Sequence, residues 1–307
     1  MSLLKSIFSL FKDALQAFMT ERASIYAAGL AYYMVFSIAP LLVFVVNIAG
    51  FFIDQSLAQE QVMEQLRYLV GGELAGYIDG IMTAVRDQTM SRTATIVSII
   101  ALLIAGTGIF RQLRVALDLI WGISDVQPKN VHEWLLLARY RAIPFLSVFV
   151  LGAALVLVVI TEAVLTAVQA RFEVLFPEAG FLLTQLGRLI IPLLTLTAFL
   201  FIFKALPDAQ VRWRDAAVGA VVTTVLFLIG RVILSFFLSF SNTGSVYGAA
   251  GSLIILLFWI YYSAQILLYG AEFTWLYALR YGQPIQANRL SRIITAEQEN
   301  RPLTTDH

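Results

Sequence analysis

The sequence predicts an all-α polytopic membrane protein: a bundle of about six transmembrane helices with amphipathic interfacial helices and both termini in the cytoplasm. Three observations carry that expectation. The 307 residues are 59% hydrophobic and only 13% charged, at a mean hydropathy of +0.80, against about 25% charge in ordinary soluble domains. Six runs are long and apolar enough to cross hydrocarbon, which takes about 20 residues; they lie near 26–53, 95–113, 142–165, 186–206, 216–240 and 249–277. Between these runs, fifteen Lys and Arg residues collect on the side that holds both termini and five on the other. Such a bias sets the orientation of a multi-pass chain.

Residues 1–22 do not read as a span. Leu4, Phe8, Phe11, Leu15 and Phe18 recur by four and three, with Lys5, Ser9, Lys12, Asp13 and Gln16 opposite. The pattern fits an amphipathic helix in the membrane interface, or equally a helix packed on the bundle. The membrane domain is expected over 23–282. The first apolar run is too long for a cleavable signal peptide and no small-residue cleavage site follows it. That run places Tyr26, Tyr33, Pro40 and Asn47 seven apart, with Ser37 near them. Small residues at Ala27, Ala28, Gly29 and Ala31 admit a close neighbour.

The extracytoplasmic loop, 54–94, is acidic and broken at Gly71-Gly72. One apolar stripe runs through Val62, Leu66 and Leu69, and another through Leu74, Ile78, Ile81 and Val85. They predict two short helices that rest on the outer membrane face or cap the bundle. Residues 111–122 continue the second span as an amphipathic helix. A turn over Ser124–Asn130, with Pro128, and a short helix over Val131–Arg141 follow. Pro40, Pro144 and Pro192 fall in or at the start of spans, with kinks expected at Pro40 and Pro192. Trp121, Trp134, Trp213 and Trp275 fall near cytoplasmic helix ends, as an aromatic belt requires. The polar tail, 283–307, is expected to be poorly ordered.

Composition also excludes chemistry. With no cysteine there are no disulfides and no thiolate sites. His132 and His307 are too far apart in sequence to suggest a metal cluster, and a net charge of +1 argues against a nucleic-acid partner. No catalytic set, metal or cofactor is therefore expected. The expected partners are membrane lipids and an amphiphilic or lipid-like solute. Composition leaves the oligomeric state open.

The polar residues inside the spans are the candidate substrate-binding set: Tyr33, Asn47, Arg111, Arg231, Tyr262, Gln265, Tyr269 and Glu272. In the last span Tyr262, Gln265, Tyr269 and Glu272 are spaced three, four and three apart, which puts all four on one helical face. A charge near the bilayer centre costs roughly 2.5–3.5 kcal/mol, so Glu272 needs a protein-lined or wet place. Counting rise along the helices puts Glu272 and Arg111 near the cytoplasmic ends, where they could pair. Arg231 lies further out, nearer the level of Asn47 and Glu162. The same residues could instead lock the bundle, since interhelical polar contacts in membranes average about 0.6 kcal/mol.

Four runs carry a family resemblance: ERASIYAAGLAYYMVFSIAPLL (21–42), GTGIFRQLRVALDLIWG (106–122), ALPDAQVRWRDAAVGA (205–220) and VYGAAGSLIILLFWIYYSAQILLYGAE (246–272). Together they resemble the YihY/BrkB family, bacterial inner-membrane proteins labelled virulence factor BrkB and, historically, ribonuclease BN. The resemblance covers roughly residues 20–282 with the motifs in order. It implies a six-helix protein of the bacterial inner membrane and brings no established activity. The ribonuclease label does not fit this chain, which has no clustered His/Asp/Glu run and no RNA-binding motif among its scattered cations. Two readings of function remain: a transporter-like protein moving an amphiphile past the polar faces, or a non-catalytic envelope scaffold.

Overall fold

A computed structural model describes residues 3–50, 52–70, 72–88, 108–125, 177–240, 249–287 and 291–293, together with six helical positions between 153 and 164. In chain order the elements are α1 (Leu3–Thr20), α2 (Ala23–Ala49), α3 (Gln55–Val70) and α4 (Gly72–Gln88), then α5 (108–120). β1 (Ile123–Asp125), α6 (Pro177–Ala205), β2 (Ala209–Gln210), α7 (Trp213–Phe240), α8 (Ala249–Tyr281), β3 (Gln286–Ala287) and β4 (Ser291–Ile293) complete the order. Four of the expected spans fall on α2, α6, α7 and α8. Most of the second and third lie outside the described residues, as do Trp134, Pro144, Glu162 and the expected helix over 131–141. Two helical stretches among the described residues, Trp213–Leu234 and Leu253–Tyr281, are long and apolar enough to cross a membrane.

The packing is centred on α8, which touches α1, α2, α4 and α7. Its small residues decide the closest of these contacts. Gly219 of α7 lies against Thr274 of α8, and Gly270 of α8 lies against Thr223 of α7. Each threonine donates its hydroxyl hydrogen to the carbonyl of the glycine four residues before it, Thr223 to Gly219 and Thr274 to Gly270, both at 2.7 Å. Both threonines are fully buried. The two Gly-x-x-x-Thr units thus interlock reciprocally, in the manner of small-residue contacts between membrane helices. The pairing also fixes α7 and α8 as antiparallel. Further along, Gly230 of α7 meets the Tyr262 hydroxyl in the same register.

The core has two layers. The inner one joins Ala23, Ala27 and Leu30 of α2 and Leu117 of α5 to Phe203 of α6, Ala220 of α7, and Leu268 and Ala271 of α8. The outer one joins Val45 and Val46 of α2, Val62 of α3, Ile78 of α4 and Leu234 of α7 to Ile255, Leu256 and Ile260 of α8. Val62 and Ile78, one residue from each expected stripe, are buried in this layer with Leu66 packed against it, so α3 and α4 pack onto the bundle; the Leu69, Leu74, Ile81 and Val85 side chains lie outside the described residues. Asp54 starts α3 by accepting the Ser56 amide at 2.9 Å, the role an N-cap carboxylate performs.

Helix α1 resolves the other alternative: it packs on α8. The Phe11 and Phe273 rings lie 4.9 Å apart, the Tyr269 hydroxyl donates to the Phe11 carbonyl at 3.0 Å, and Arg280 forms an ion pair with Asp13. Phe8, Leu15 and Met19 stay exposed on the far side.

The described fold is mainly helical, as expected, but four details need correction. The fold is not purely helical, because β1 pairs antiparallel with β4 and β2 with β3. Ser124 and Asp125, expected in a turn, belong to β1. The start of the polar tail is paired rather than loose: Ile285 is buried in the inner core layer and carries β3 to Ala209–Gln210. Loop backbone that leaves water must pair its N–H and C=O groups, and strands of two or three residues are too short to show a period in sequence. Trp121 is corrected as well. It is no interfacial anchor but is fully buried, donating its indole N–H to the Ala271 carbonyl at 3.1 Å.

Candidate functional site

Glu272 sits on the C-terminal half of α8, where helix α1 turns into α2. Arg22 makes that turn in the left-handed region, at φ 54°, and is the one non-glycine residue with positive φ among those described. Such a conformation costs about 1–2 kcal/mol for an ordinary side chain, and here it folds α2 back along α8. Glu21, one residue earlier, is thereby delivered to Glu272, and the two carboxyl groups interact. On the other side, Trp121 ties the end of α5 to the Ala271 carbonyl. Glu272 itself is fully buried, and neither of its carboxyl oxygens has a hydrogen-bond donor among the described residues.

Two neighbouring carboxyls, one of them fully desolvated, resist being ionised together. The arrangement is therefore suited to holding a proton, or a cation, between a buried acid and an exposed one. Burial pushes the Glu21 carboxyl above its ordinary value near 4.5, an effect that the neighbouring Glu272 carboxyl partly offsets. The native state then binds more protons through Glu21 than the unfolded chain does above pH 4.5. Stability from this group is fully present below about pH 4.5 and is lost as pH rises through the higher native value. Thermal unfolding of the full chain from acid to neutral pH should show that decline, and Glu21→Gln should flatten it; an unchanged slope would refute the assignment.

The candidate residues do not gather into one wall. Tyr269 is spent on α1 through Phe11, Tyr262 lies against Gly230 of α7, and Gln265 is half-buried between them. Tyr33, exposed at 40%, covers Gly108 of α5. Arg231 is half-buried on α7. The Asn47 side chain lies outside the described residues. Arg111 is exposed and forms no ion pair with Glu272, so the expected pair is not made. Depth alone suggested it; the side of α5 on which Arg111 sits forbids it.

The inward cation is instead Arg114. It pairs with Asp208 of the α6–α7 loop and lies 3.6 Å from Asp118 one turn along α5. The Asp208 amide donates to Asp118 at 2.8 Å. The Arg114–Asp118 spacing was visible in sequence as an i,i+4 pair, but nothing there links it to Asp208. Glu21 was missed for the same reason: its partner is 251 residues away.

These contacts bring the four sequence runs together: Glu21 meets Glu272, Arg114 meets Asp208, and Trp121 meets Ala271. The sequence profile of the virulence factor BrkB family matches residues 14–293. The chain belongs to that family. Among its relatives, a UPF0761 membrane protein of Aeromonas salmonicida is 27% identical over 264 residues, covering 84% of each chain. One from Glaesserella parasuis is 26% identical over 243 residues, covering 78% of this chain and 82% of its own. A third, from Rhodospirillum centenum, is 26% identical over 266 residues, which are 86% of this chain but 56% of the relative. The chain thus spans little more than half the length of some BrkB-family members. No solved structure matches it. The BrkB match takes in Glu21, Arg114, Asp208 and Glu272 and leaves out most of the first three turns of α1.

Proposed function

We propose that this BrkB-family chain is a multi-pass protein of the bacterial inner membrane, with six spans and both termini in the cytoplasm. It acts without enzymatic chemistry as a transporter-like protein for an amphiphilic or lipid-like solute, with the Glu21–Glu272 pair as its proton-responsive element. The observation that carries this reading is Glu272: a fully buried acid in a membrane-length helix with no hydrogen-bond donor among the described residues. Intramembrane carboxyls are costly and commonly serve ion or proton pathways. The cation bias and the antiparallel course of α7 and α8 support the topology.

The test is reconstitution of the full chain in liposomes, following a fluorescent phospholipid and internal pH together. Glu272→Gln keeps the shape and removes the charge. It should cut flux at least about fivefold, the low end of typical site coupling, and abolish its pH dependence. A well-folded Glu272→Gln protein as active as the parent would sink the proposal.

The interlocked threonines and the Tyr269–Phe11 bond favour a second reading, a scaffold whose polar groups serve only to hold helices. It expects no flux from the parent protein, and a change in melting temperature as the one effect of Glu272→Gln.

A further inference from the structure

A cleft of about 630 Å³ opens where α6 ends and α7 begins, floored by the β2–β3 pair. Its walls carry Lys204, Arg212 and Arg214, with Trp213 between them, and no acidic residue. Lys204 donates to the Val211 carbonyl and stands 5.3 Å over the Trp213 ring, so it is held in place. Arg212 and Arg214 are exposed and form no ion pair with a described carboxylate. The acids nearest in sequence are both turned away. Asp208 is buried against Arg114, and Asp215, 2% exposed, accepts the Gln283 amide at 3.4 Å. Among the described residues, the cleft is therefore cationic without local compensation.

Its position narrows the occupant. Trp213 is 65% exposed at the start of a membrane-length helix, where a tryptophan sits at headgroup level. From Arg214 along α7, steps of seven, eleven and eighteen residues keep one face, and Val221, Val225 and Val232 on that face are all exposed. A cationic pocket at the rim thus continues into an apolar stripe along the same helix. Basic pockets between membrane helices on the cytoplasmic side suit anionic headgroups.

We infer that this cleft binds the phosphate headgroup of an anionic phospholipid of the inner leaflet, with its acyl chains along the Val221–Val225–Val232 stripe. The site is independent of any flux through the protein.

Native mass spectrometry of the full chain in detergent, titrated with phosphatidylglycerol or phosphatidylcholine of the same acyl chains, tests it. The parent protein should prefer the anionic lipid. Arg212→Gln with Arg214→Gln should lower anionic-lipid binding roughly 25-fold, about fivefold for each cation near a membrane surface. The single variants should each lose about fivefold, which decides the matter if the double variant does not fold, and the Arg→Lys pair should keep most of the affinity. Equal binding of the two lipids, or an undiminished preference in the glutamine variants, would overturn the inference. So would displacement of the lipid by millimolar inorganic phosphate, which would mark a site for soluble anions instead.

Discussion

Arg114→Met should destabilise the protein by about 3–5 kcal/mol, the usual result of removing one partner from a buried ion pair. Arg114 is 9% exposed and Asp208 7%, and they are the link between α5 and the α6–α7 loop. Without the guanidinium, the Asp208 and Asp118 carboxylates lose their shared cation in a place with little water, and Asp118 keeps the Asp208 backbone amide as a donor. One oxygen of Asp208, Oδ1, already lacks a hydrogen-bond partner among the described residues. Methionine fills much of the arginine stem's volume, so the loss comes from charge rather than from a cavity. In a thermal melt the effect should appear as a drop of about 10 °C, taking 2–4 °C per kcal/mol.

The decisive comparison is the double variant Arg114→Met/Asp208→Asn. Removing both charges relieves the uncompensated carboxylate, so the double should be more stable than Arg114→Met alone. Arg114→Lys should fall between, since an ammonium keeps the charge but loses the fork that reaches two carboxylates. Additive losses in the double variant would show that the pair does not act as a unit.

Arg114 and Arg111 also show what the sequence could convey. Apolar length located the spans, and α2, α7 and α8 lie where the hydrophobic runs put them, because burial of backbone in hydrocarbon requires a helix of that length. The four-residue polar face of α8 was also legible from its spacing. What spacing within one helix cannot convey is azimuth relative to another. Arg111 and Arg114 lie on the same helix less than a turn apart, at nearly the same depth, yet one is exposed and the other buried against Asp208. The Glu21–Glu272 approach depends on one left-handed residue at Arg22, a backbone choice that a non-glycine residue does not announce. The tail strands depend on distant loop partners, Ala287 on Ala209 and Arg292 on Ser124, and their two- and three-residue lengths carry no pattern.

The α7–α8 interlock makes the sharpest demand on side-chain size. Alanine at Gly219 places its Cβ on the Thr274 hydroxyl, and alanine at Gly270 places it on the Thr223 hydroxyl. Neither threonine is a yielding chain end, because each is fully buried and hydrogen-bonded to its own helix. The helices must separate, so each substitution should cost about 1–3 kcal/mol, the usual penalty of overpacking. Gly76 of α4 serves as the control. A Cβ there meets nothing within 4 Å, and Gly76→Ala should stabilise by about 0.4–1 kcal/mol through helix propensity and a less free unfolded chain. Size alone would predict the same sign at all three positions; the interlock predicts opposite signs. It also predicts which second change restores stability. Thr274→Gly should rescue Gly219→Ala and Thr223→Gly should rescue Gly270→Ala, while the crossed combinations should be no better than additive. Rescue by the crossed partner would mean that α7 and α8 meet in another register, and the antiparallel course that supports the proposed topology would fall with it.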